Sequence, residues 1–324
     1  SVLCAVMIVV TYNSASTKIK HAYINQMTNF CADIESQVVN YYRTYTSDAK
    51  FFATSPLIAD AVETKKYGPA SKLMEVYFKE SGMLENIFIS TPKKTSTIVA
   101  DGLGGKSVGL MWASKQFNAN IEKALAGETH VGDPYISPVT GRTVTLITSP
   151  IKKGGNVIGI MGLPVMVDEF SDKFIKSIKI GQSGYPYAIT LDGIIWAHPK
   201  KEFILKLDVT KYDWGKLFVS SPSGTPIEYN FMNTDKISVL KRNDEYRFMT
   251  GVTMNMSDII NEARGMIPVL AILGIAGAGV AIAIIYLFMR ARLKPLQASV
   301  EIINNLAKGD LTRKYTGKIY HDEV

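Results

Sequence analysis

The stretch from Gly265 to Met289 contains no Asp, Glu, Lys, Arg or His. A helix needs roughly 20 mostly apolar residues to cross the hydrocarbon core of a bilayer, and helices of soluble domains seldom run this long without a charge. The stretch therefore predicts a transmembrane helix at 265–289. Arg290, Arg292 and Lys294 follow it directly. Because Lys and Arg gather on the cytoplasmic side of a span, they place residues 290–324 inside the cell.

The N-terminal segment is apolar from Val2 to Val10, which is too short to cross a bilayer by itself. Two interpretations remain open: residues 1–12 are the end of a first transmembrane helix, or they are the apolar core of a signal peptide. No small-residue cleavage site is evident, and a helical pattern continues without a break, which favours the first interpretation. Residues of about 13 to 264 would then lie outside the cytoplasm, between two spans.

The charge balance excludes one class of partner. The chain has 36 Lys and Arg against 29 Asp and Glu, a net charge of +7. The charges are mixed, without the arginine-rich stripe that nucleic-acid binding needs. The two cysteines and four histidines are scattered, with no CxxC and no Cys–His spacing suited to zinc. We therefore predict no nucleic-acid partner, no metal site and no cofactor.

A long helix is predicted for residues 13–49. Apolar and aromatic residues recur there at steps of three and four, without an intervening Pro or Gly. They are Tyr23, Met27, Phe30, Ile34, Val38, Tyr41 and Tyr45. This stripe either packs on its own domain or pairs with a second copy of the chain in a homodimer, and both can hold along different parts of it.

Two strand-rich units follow the long helix. Short β-branched runs separated by Gly, Pro and Asp predict antiparallel strands at roughly 82–167 and again at roughly 180–254. Asp192-Gly193 marks a hairpin turn in the second unit. Helical patterns are predicted at about 70–81, 112–127 and 168–180. The fold class is therefore α+β.

No catalytic constellation is visible. The run "DGLGGKS" at 101–107 has Ala100 where a phosphate-binding P-loop needs its first Gly, and Ser107 where a dinucleotide fingerprint needs its last. His198 stands beside a proline at a strand end, and the chain contains no G-x-S-x-G and no H-E-x-x-H. We therefore predict that the chain is not an enzyme and has no catalytic residues.

A candidate ligand site lies in the first unit. Small-molecule sites combine an aromatic wall with a few directed polar groups. Trp112, Lys115 and Asn118 fall on the helix predicted beside the sheet, and Asp133 and Tyr135 fall on a loop that enters the next strand. We predict that these five residues bind a small molecule. The alternative is that Trp112 and Tyr135 are core aromatics and Lys115 is solvated.

The segment after the predicted span reads "RLKPLQASVEIINNLAKGDLT". Pro295 is predicted to begin a helix, and Gly309 to end it. Its apolar positions follow a four-three-four spacing, and the helix is too short to be stable alone. Its stripe should therefore pair with a second copy in a parallel bundle.

This segment resembles the first helix of a HAMP linker, with its proline just inside the membrane and its Gly-Asp-Leu. The region between the spans is similar to a double Cache sensor, in which two PAS-like units share one long helix. The matching runs are "YISPVTGRTVTLITSPI", "GNVIGIMGLPVMVDEF", "IKIGQSGYPYAITLDGIIWAHP" and "DVTKYDWGKL". Together they resemble bacterial methyl-accepting chemotaxis receptors.

The resemblance implies a membrane-distal, ligand-binding PAS-like unit at 50–170 and a membrane-proximal one at 171–258, followed by the transmembrane helix and a HAMP linker at 290–324. Members that sense amino acids carry an Arg-x-Trp-Tyr pattern three residues before an Ala, and an Asp in the last strand of the distal unit. With Ala124 as that Ala, this chain has Asn118, Asn120 and Ile121 at the pattern, and Pro164 at the Asp.

The resemblance implies a homodimeric chemoreceptor of the bacterial inner membrane, joined through the N-terminal helix and the HAMP linker. The sensor would be periplasmic or extracellular, and the HAMP segment would be cytoplasmic. Ligand binding would be passed through the second span to cytoplasmic signalling proteins. Two alternatives stay open: a sensor of a histidine kinase or a cyclic-dinucleotide enzyme, and a membrane-anchored hydrolase.

Overall fold

The computed structural model describes residues 2–112, 114–175 and 178–307. It divides into two compact units, Lys20–Ile259 and Ser1–Ile19 with Ile260–Val324. The helices are α1 (Val2–Thr54), α2 (Pro56–Thr64), α3 (Gly68–Ser81), α4 (Asn118–Leu125), α5 (Val167–Phe170), α6 (Asp213–Ser220), α7 (Met256–Gly265) and α8 (Ile267–Ala307). The strands are β1 (Phe88–Ser90), β2 (Ile98–Asp101), β3 (His130–Val131), β4 (Tyr135–Ile136), β5 (Thr143–Lys153), β6 (Asn156–Met166), β7 (Tyr185–Thr190), β8 (Ile195–Ala197), β9 (Ile227–Phe231), β10 (Thr234–Asn243) and β11 (Phe248–Asn255).

The apolar helix near the C-terminus agrees with the span predicted at 265–289. In the described part of the chain, the helical stretch Met256–Ala291 is the one long and apolar enough to cross a bilayer. Its most apolar segment has a mean hydropathy of 2.5, and none of that segment is buried within the protein. α8 continues through Pro295 to Ala307, so the prediction that Pro295 begins a new helix is wrong. An interior proline removes one backbone hydrogen bond at a cost of about 3 kcal/mol, but the helix continues on both sides of Pro295. The predicted connector after Gly309 lies outside the described residues.

The first sheet has six strands, all paired antiparallel. Its order is β2-β1-β6-β5-β3, and β4 also pairs with β5. Helices α1 to α3 cover one face of this sheet. There the side chains of Ile89, Ile147 and Leu163 join the main core with Phe52, Met74 and others from the helices. The β-branched runs of the sequence thus form a sheet whose long strands are buried on both faces, with successive residues alternating between the faces.

The second sheet has the order β8-β7-β11-β10-β9, also antiparallel throughout. One face packs on α6 and the short 3-10 turns beside it, in a core that includes Tyr187, Val209 and Phe218. Asp192-Gly193 forms the tight turn between β7 and β8, with Gly193 at a φ of +88°. The two predicted antiparallel units are therefore present, and the α+β fold is confirmed.

Helix α1 packs on both sheets. Its inward residues Met27, Ile34 and Val38 are buried. The Cys31 thiol donates to the carbonyl of Val239 on β10 at 3.1 Å. Nearer its C-terminal end, the Tyr42 hydroxyl lies 3.3 Å from the Thr145 hydroxyl on β5. The stripe predicted within residues 13–49 therefore serves packing on its own domain, and pairing with a second copy remains a proposal.

Two predicted helices differ from the observed ones. The prediction of helix from 112 to 127 is wrong at its start, because Trp112 is in an extended segment whose N–H donates to the carbonyl of Ser96 at 3.2 Å. A 3-10 turn at Lys115–Phe117 then leads into α4. The helix predicted at 168–180 is a short α5 followed by a π-helical turn at Ser171–Ile175.

Candidate ligand-binding site

A cavity of about 480 Å³ lies against the face of the first sheet opposite α1 to α3. This volume is in the range of small-molecule sites. Most of its wall is apolar or aromatic, and a few polar residues lie among them. The lining residues are Glu85, Asn86, Phe88, Ile98, Leu103, Ser107, Leu110, Met111, Trp112, Ser114, Phe117, Tyr135, Ser137, Pro138, Val139, Thr140, Leu146 and Pro164.

The floor of the cavity comes from alternation along three strands. Phe88 on β1, Leu146 on β5 and Pro164 on β6 line it, whereas their neighbours Ile89, Ile147 and Leu163 face the helices. This alternation is the period of two expected of any strand. Phe88 is paired across the sheet with Gly162, which has no side chain to keep the phenyl ring off the sheet surface.

The loop after β2 forms one wall, and the buried carboxylate of Asp101 organises it. Its Oδ1 accepts from the N–H of Leu103 at 3.2 Å and of Gly105 at 2.6 Å, and its Oδ2 accepts from the N–H of Ser107 at 2.5 Å. Asp101 is 0% exposed. The glycine-rich run "DGLGGKS" is therefore a carboxylate-centred turn beside the cavity.

Four aromatic rings form a continuous row along the cavity. The centroid of Phe88 lies 5.7 Å from that of Trp112, Trp112 lies 5.8 Å from Phe117, and Phe117 lies 4.8 Å from Tyr135. Each pair is close to edge-to-face, the arrangement that the ring quadrupoles favour. Burial, and to a smaller extent the nearby Glu85 carboxylate, raise the pKa of Tyr135.

One buried polar atom of the cavity has no partner. The indole Nε1 of Trp112 is buried, and the described part of the chain offers it no acceptor. A buried donor without an acceptor costs free energy. Because this atom is fully enclosed, it lies behind the surface of the cavity wall rather than on it.

The structure brings together some of the predicted site residues and separates others. Trp112 and Tyr135 line the cavity. Asn118 is exposed at the first turn of α4 and does not line it. Asp133 also lies outside the lining, 56% exposed, with its Oδ1 4.0 Å from Nε of Arg247. The backbone of Lys115 is in the 3-10 turn before α4, and its side chain lies outside the described part of the molecule.

The positions that the resemblance assigns to amino-acid binding have other roles in this fold. The buried Asn120 side chain donates to the carbonyl of Leu146 at 2.9 Å and to the Thr148 hydroxyl at 3.3 Å. Ile121 is 2% exposed, packed in α4. Pro164 lines the cavity without a polar side chain, and its carbonyl accepts from the N–H of Glu85 at 2.9 Å.

Sequence reasoning missed most of the lining. Phe88 could have been found, because it alternates with the apolar Ile87 and Ile89 on one strand and must face the other side. Glu85 and Thr140 carried no comparable signal. They lie in separate turns 55 residues apart and meet through a hydrogen bond from the Thr140 hydroxyl to the Glu85 carboxylate.

The strand-rich unit that contains the second sheet has a much smaller pocket, of about 30 Å³, between that sheet and α6. His198 lines it and is 4% exposed, with its ring 5.1 Å from that of Tyr185 and 5.0 Å from that of Phe203. Its Nδ1 accepts from the N–H of Lys200 at 2.9 Å. This is a packed, neutral histidine. Among the described residues, no three His, Cys, Asp or Glu side chains form a metal site.

His198 predicts a pH dependence of stability. Burial, the largest cause, lowers the pKa of His198 from 6.5 to about 4. The unfolded chain therefore takes up a proton at higher pH than the folded chain does, and stability falls as the pH drops from 6.5 to 4. The expected loss is about 3 kcal/mol by linkage. Urea unfolding of residues 20–259 at several pH values measures it.

The variant His198→Asn keeps an acceptor for the N–H of Lys200 but does not titrate. Its free energy of unfolding should depend less on pH between 6.5 and 4 than that of the parent chain. Because burial also lowers the pKa of His130, part of the dependence should survive in the variant. Identical pH profiles for parent and variant would contradict the prediction.

Comparison with known proteins supports the fold. A family model, dCache_1, described as a Cache domain, matches residues 15–263. The methyl-accepting chemotaxis protein McpA of Bacillus subtilis is 28% identical over 193 residues, which are 59% of this chain and 28% of McpA. The chain therefore spans less than a third of that relative.

Solved structures share the fold at low sequence identity. The ligand binding domain of the amino acid chemoreceptor PctB of Pseudomonas aeruginosa, in complex with L-Arg, matches with a TM-score of 0.55 at 17% identity, covering 72% of this chain and 95% of that chain. The sensory domain of the Campylobacter jejuni chemoreceptor Tlp3 matches with a TM-score of 0.59 at 15% identity, covering 76% and 99%. With the family match over residues 15–263, these findings confirm the resemblance to a Cache sensor and to methyl-accepting chemotaxis receptors, whereas the HAMP linker stays a prediction. The chain belongs to the Cache domain family and is homologous to bacterial methyl-accepting chemotaxis proteins.

Proposed function

We propose that this chain is the sensor and membrane-crossing part of a chemoreceptor, and that it binds a small solute directly in the cavity of the first sheet. The observation that carries the proposal is the cavity itself. It has about 480 Å³ of space and a row of aromatic rings, in a Cache domain. A domain that needed no ligand would gain stability by filling such a space.

The proposed topology places residues 20–259 outside the cytoplasm. Two features support it: the apolar helical stretch Met256–Ala291, and the basic residues from Arg290 onward, which favour the cytoplasmic side. In this proposal ligand binding favours one arrangement of a homodimer, and α8 passes the change to a HAMP segment and on to cytoplasmic partners. A coupling of about 1–3 kcal/mol is typical for such transmission. The small residues Gly274, Ala278 and Ala281 would let two copies of α8 approach closely.

The residues at the amino-acid-binding positions bear on which class of ligand this chain takes. PctB was solved with L-Arg, so amino acids are the first class to test. In this chain Asn118, Asn120 and Ile121 stand at the positions of the amino-acid pattern, and of these only exposed Asn118 is free of the core. We therefore propose a solute other than a free amino acid.

A solute screen tests direct binding. The full chain in lipid nanodiscs is titrated by calorimetry with organic acids, amines, purines and amino acids, with empty nanodiscs as the blank. We expect at least one class to bind, and Trp112→Ala or Tyr135→Ala to weaken it by about tenfold or more, because each removes a large part of the aromatic wall. At a free solute concentration of a hundred times Kd, binding should raise the free energy of unfolding by about 2.7 kcal/mol.

Asn118→Ala and Asp133→Ala are the matched controls, since both residues belong to the same unit but lie outside the lining. They should leave affinity unchanged. If Asn118→Ala and Asp133→Ala abolish binding while Trp112→Ala and Tyr135→Ala do not, the site is elsewhere in the distal unit. If no solute binds, direct sensing by this cavity is wrong.

A further inference from the structure

Glu85 is the acidic side chain of the cavity wall. It lies in the connection between α3 and β1, where its N–H donates to the carbonyl of Pro164 at 2.9 Å. One oxygen of its carboxylate accepts from the Thr140 hydroxyl. These two bonds fix Glu85 in the cavity wall beside Pro164, which has no polar side chain.

No cation among the described side chains of the wall balances the charge of Glu85. Among the lining side chains that the structure describes, Glu85 is the one with a charge, and none is Lys, Arg or His. Within the described residues Glu85 also forms no ion pair. A carboxylate beside a mostly apolar space attracts a cation more strongly than one in open water, because the surroundings screen it less.

The aromatic row favours the same kind of ligand. Phe88, Trp112, Phe117 and Tyr135 follow one another with centroids at most 5.8 Å apart. The faces of aromatic rings attract ammonium groups, and their area also packs well on an apolar body. A carboxylate and several rings around one space are the combination that binds organic ammonium ions.

The same wall disfavours an anion. A ligand carboxylate would face the like charge of Glu85. The Nδ2 of Asn86 donates to the Ser107 hydroxyl at 3.1 Å and its Oδ1 accepts from the N–H of Ile87 at 2.8 Å, which leaves one neutral amide N–H. A single neutral donor suits a hydroxyl, ether or carbonyl oxygen better than a full negative charge.

We infer that the cavity takes an organic ammonium ion with an apolar or aromatic body, its ammonium group bound at Glu85 and its body against the rings of Trp112, Phe117 and Tyr135. This inference rests on the proposed function, since it assumes that the cavity binds a solute directly. It adds the chemical class of that solute and assigns the head-group contact to Glu85.

Four probes that share one aromatic body test the head group. They are 2-phenylethylamine, 2-phenylethanol, 3-phenylpropanoate and phenylalanine, titrated by calorimetry into the full chain in nanodiscs, with empty nanodiscs as the blank. We expect the amine to bind about tenfold tighter than the alcohol, and the two carboxylate probes to bind more weakly than the amine. A propanoate that binds as tightly as the amine overturns the inference.

The variant Glu85→Gln keeps an acceptor for Thr140 but removes the charge. This variant should bind 2-phenylethylamine about tenfold more weakly than the parent chain does, and its affinity for 2-phenylethanol should change by less than about twofold. Glu122→Gln, an exposed acid on α4 of the same unit, is the control and should change neither. An unchanged amine affinity in Glu85→Gln overturns the inference, whereas thermal unfolding of each variant shows that the fold is intact.

The results separate this inference from the proposed function. If the solute screen finds ligands that need Trp112 and Tyr135 but the amine probe fails, the cavity is a sensor site of another chemistry, and only the ammonium assignment falls. If neither the screen nor the four probes bind, both fall together.

Discussion

Replacing Asp101 with alanine is expected to lower the free energy of unfolding of residues 20–259 by about 3–5 kcal/mol. The carboxylate is fully buried and accepts hydrogen bonds from the N–H groups of Leu103, Gly105 and Ser107. Hydrogen bonds to a charged acceptor are each worth about 1.5–3 kcal/mol, and in the variant the N–H of the buried Ser107 would lose its acceptor. Urea unfolding followed by circular dichroism measures the change.

The loop that Asp101 organises also carries Leu103, Ser107 and Leu110 into the cavity wall. The alanine variant should therefore lose ligand affinity as well as stability. Asp101→Asn keeps one acceptor oxygen and replaces the other with a donor, so its loss should lie between those of the parent chain and the alanine variant. Asp192→Ala, at an exposed turn, should change stability by less than about 0.5 kcal/mol. Equal effects of Asp101→Ala and Asp192→Ala would contradict this account.

The second large effect is expected at Gly162. A Cβ added there would lie 2.2 Å from Cζ of Phe88 and 2.4 Å from its Cε2, so the ring has to leave the sheet surface. Because Phe88 is buried and lines the cavity, its ring can move only by disturbing the core or by entering the ligand space. Overpacking of this kind costs about 1–3 kcal/mol, and we expect Gly162→Ala to reach the upper end.

Gly159→Ala is the matched control, three residues earlier on the same strand. There the nearest atom to an added Cβ is Cδ1 of Ile151 at 3.2 Å, at the flexible end of a side chain. This variant should change the free energy of unfolding by less than about 1 kcal/mol. Gly162→Ala should in addition weaken ligand binding, whereas Gly159→Ala should not. If both variants are equally stable and bind equally well, the ring of Phe88 is not held in place by the absence of a side chain at 162.

Much of the architecture could be predicted from the sequence because strong local periodicity decided it. The apolar residues Met27, Ile34 and Val38 recur at helical spacing, which predicts an amphipathic helix. The length of the uncharged run before Arg290 predicts an apolar helix. The β-branched runs of both units predict antiparallel strands in the same way. These features gave the fold class, the two sheets and the apolar C-terminal helix.

The cavity was harder to predict because its residues come from separate turns. The sequence pattern around Trp112 predicted a helix. Instead, the N–H of Trp112 donates to the carbonyl of Ser96, a residue well outside the local sequence window, and this bond holds the segment extended. Asn118 and Asp133 have suitable side chains but lie outside the wall, since the start of α4 and the loop before β4 turn away from it. Glu85 meets Thr140 only after the sheet has formed. Tertiary pairing, which no local window contains, decided each of these positions.

Side chains of helix α1 contact both sheets. Cys31 bonds to β10 and Tyr42 contacts Thr145 on β5, three turns further along the same rod. Since a continuous helix resists bending, a tilt of residues near one end must reappear near the other. Amide exchange should therefore slow or quicken together at these two contacts when a solute is added, although Thr145 and Val239 are 94 residues apart in sequence.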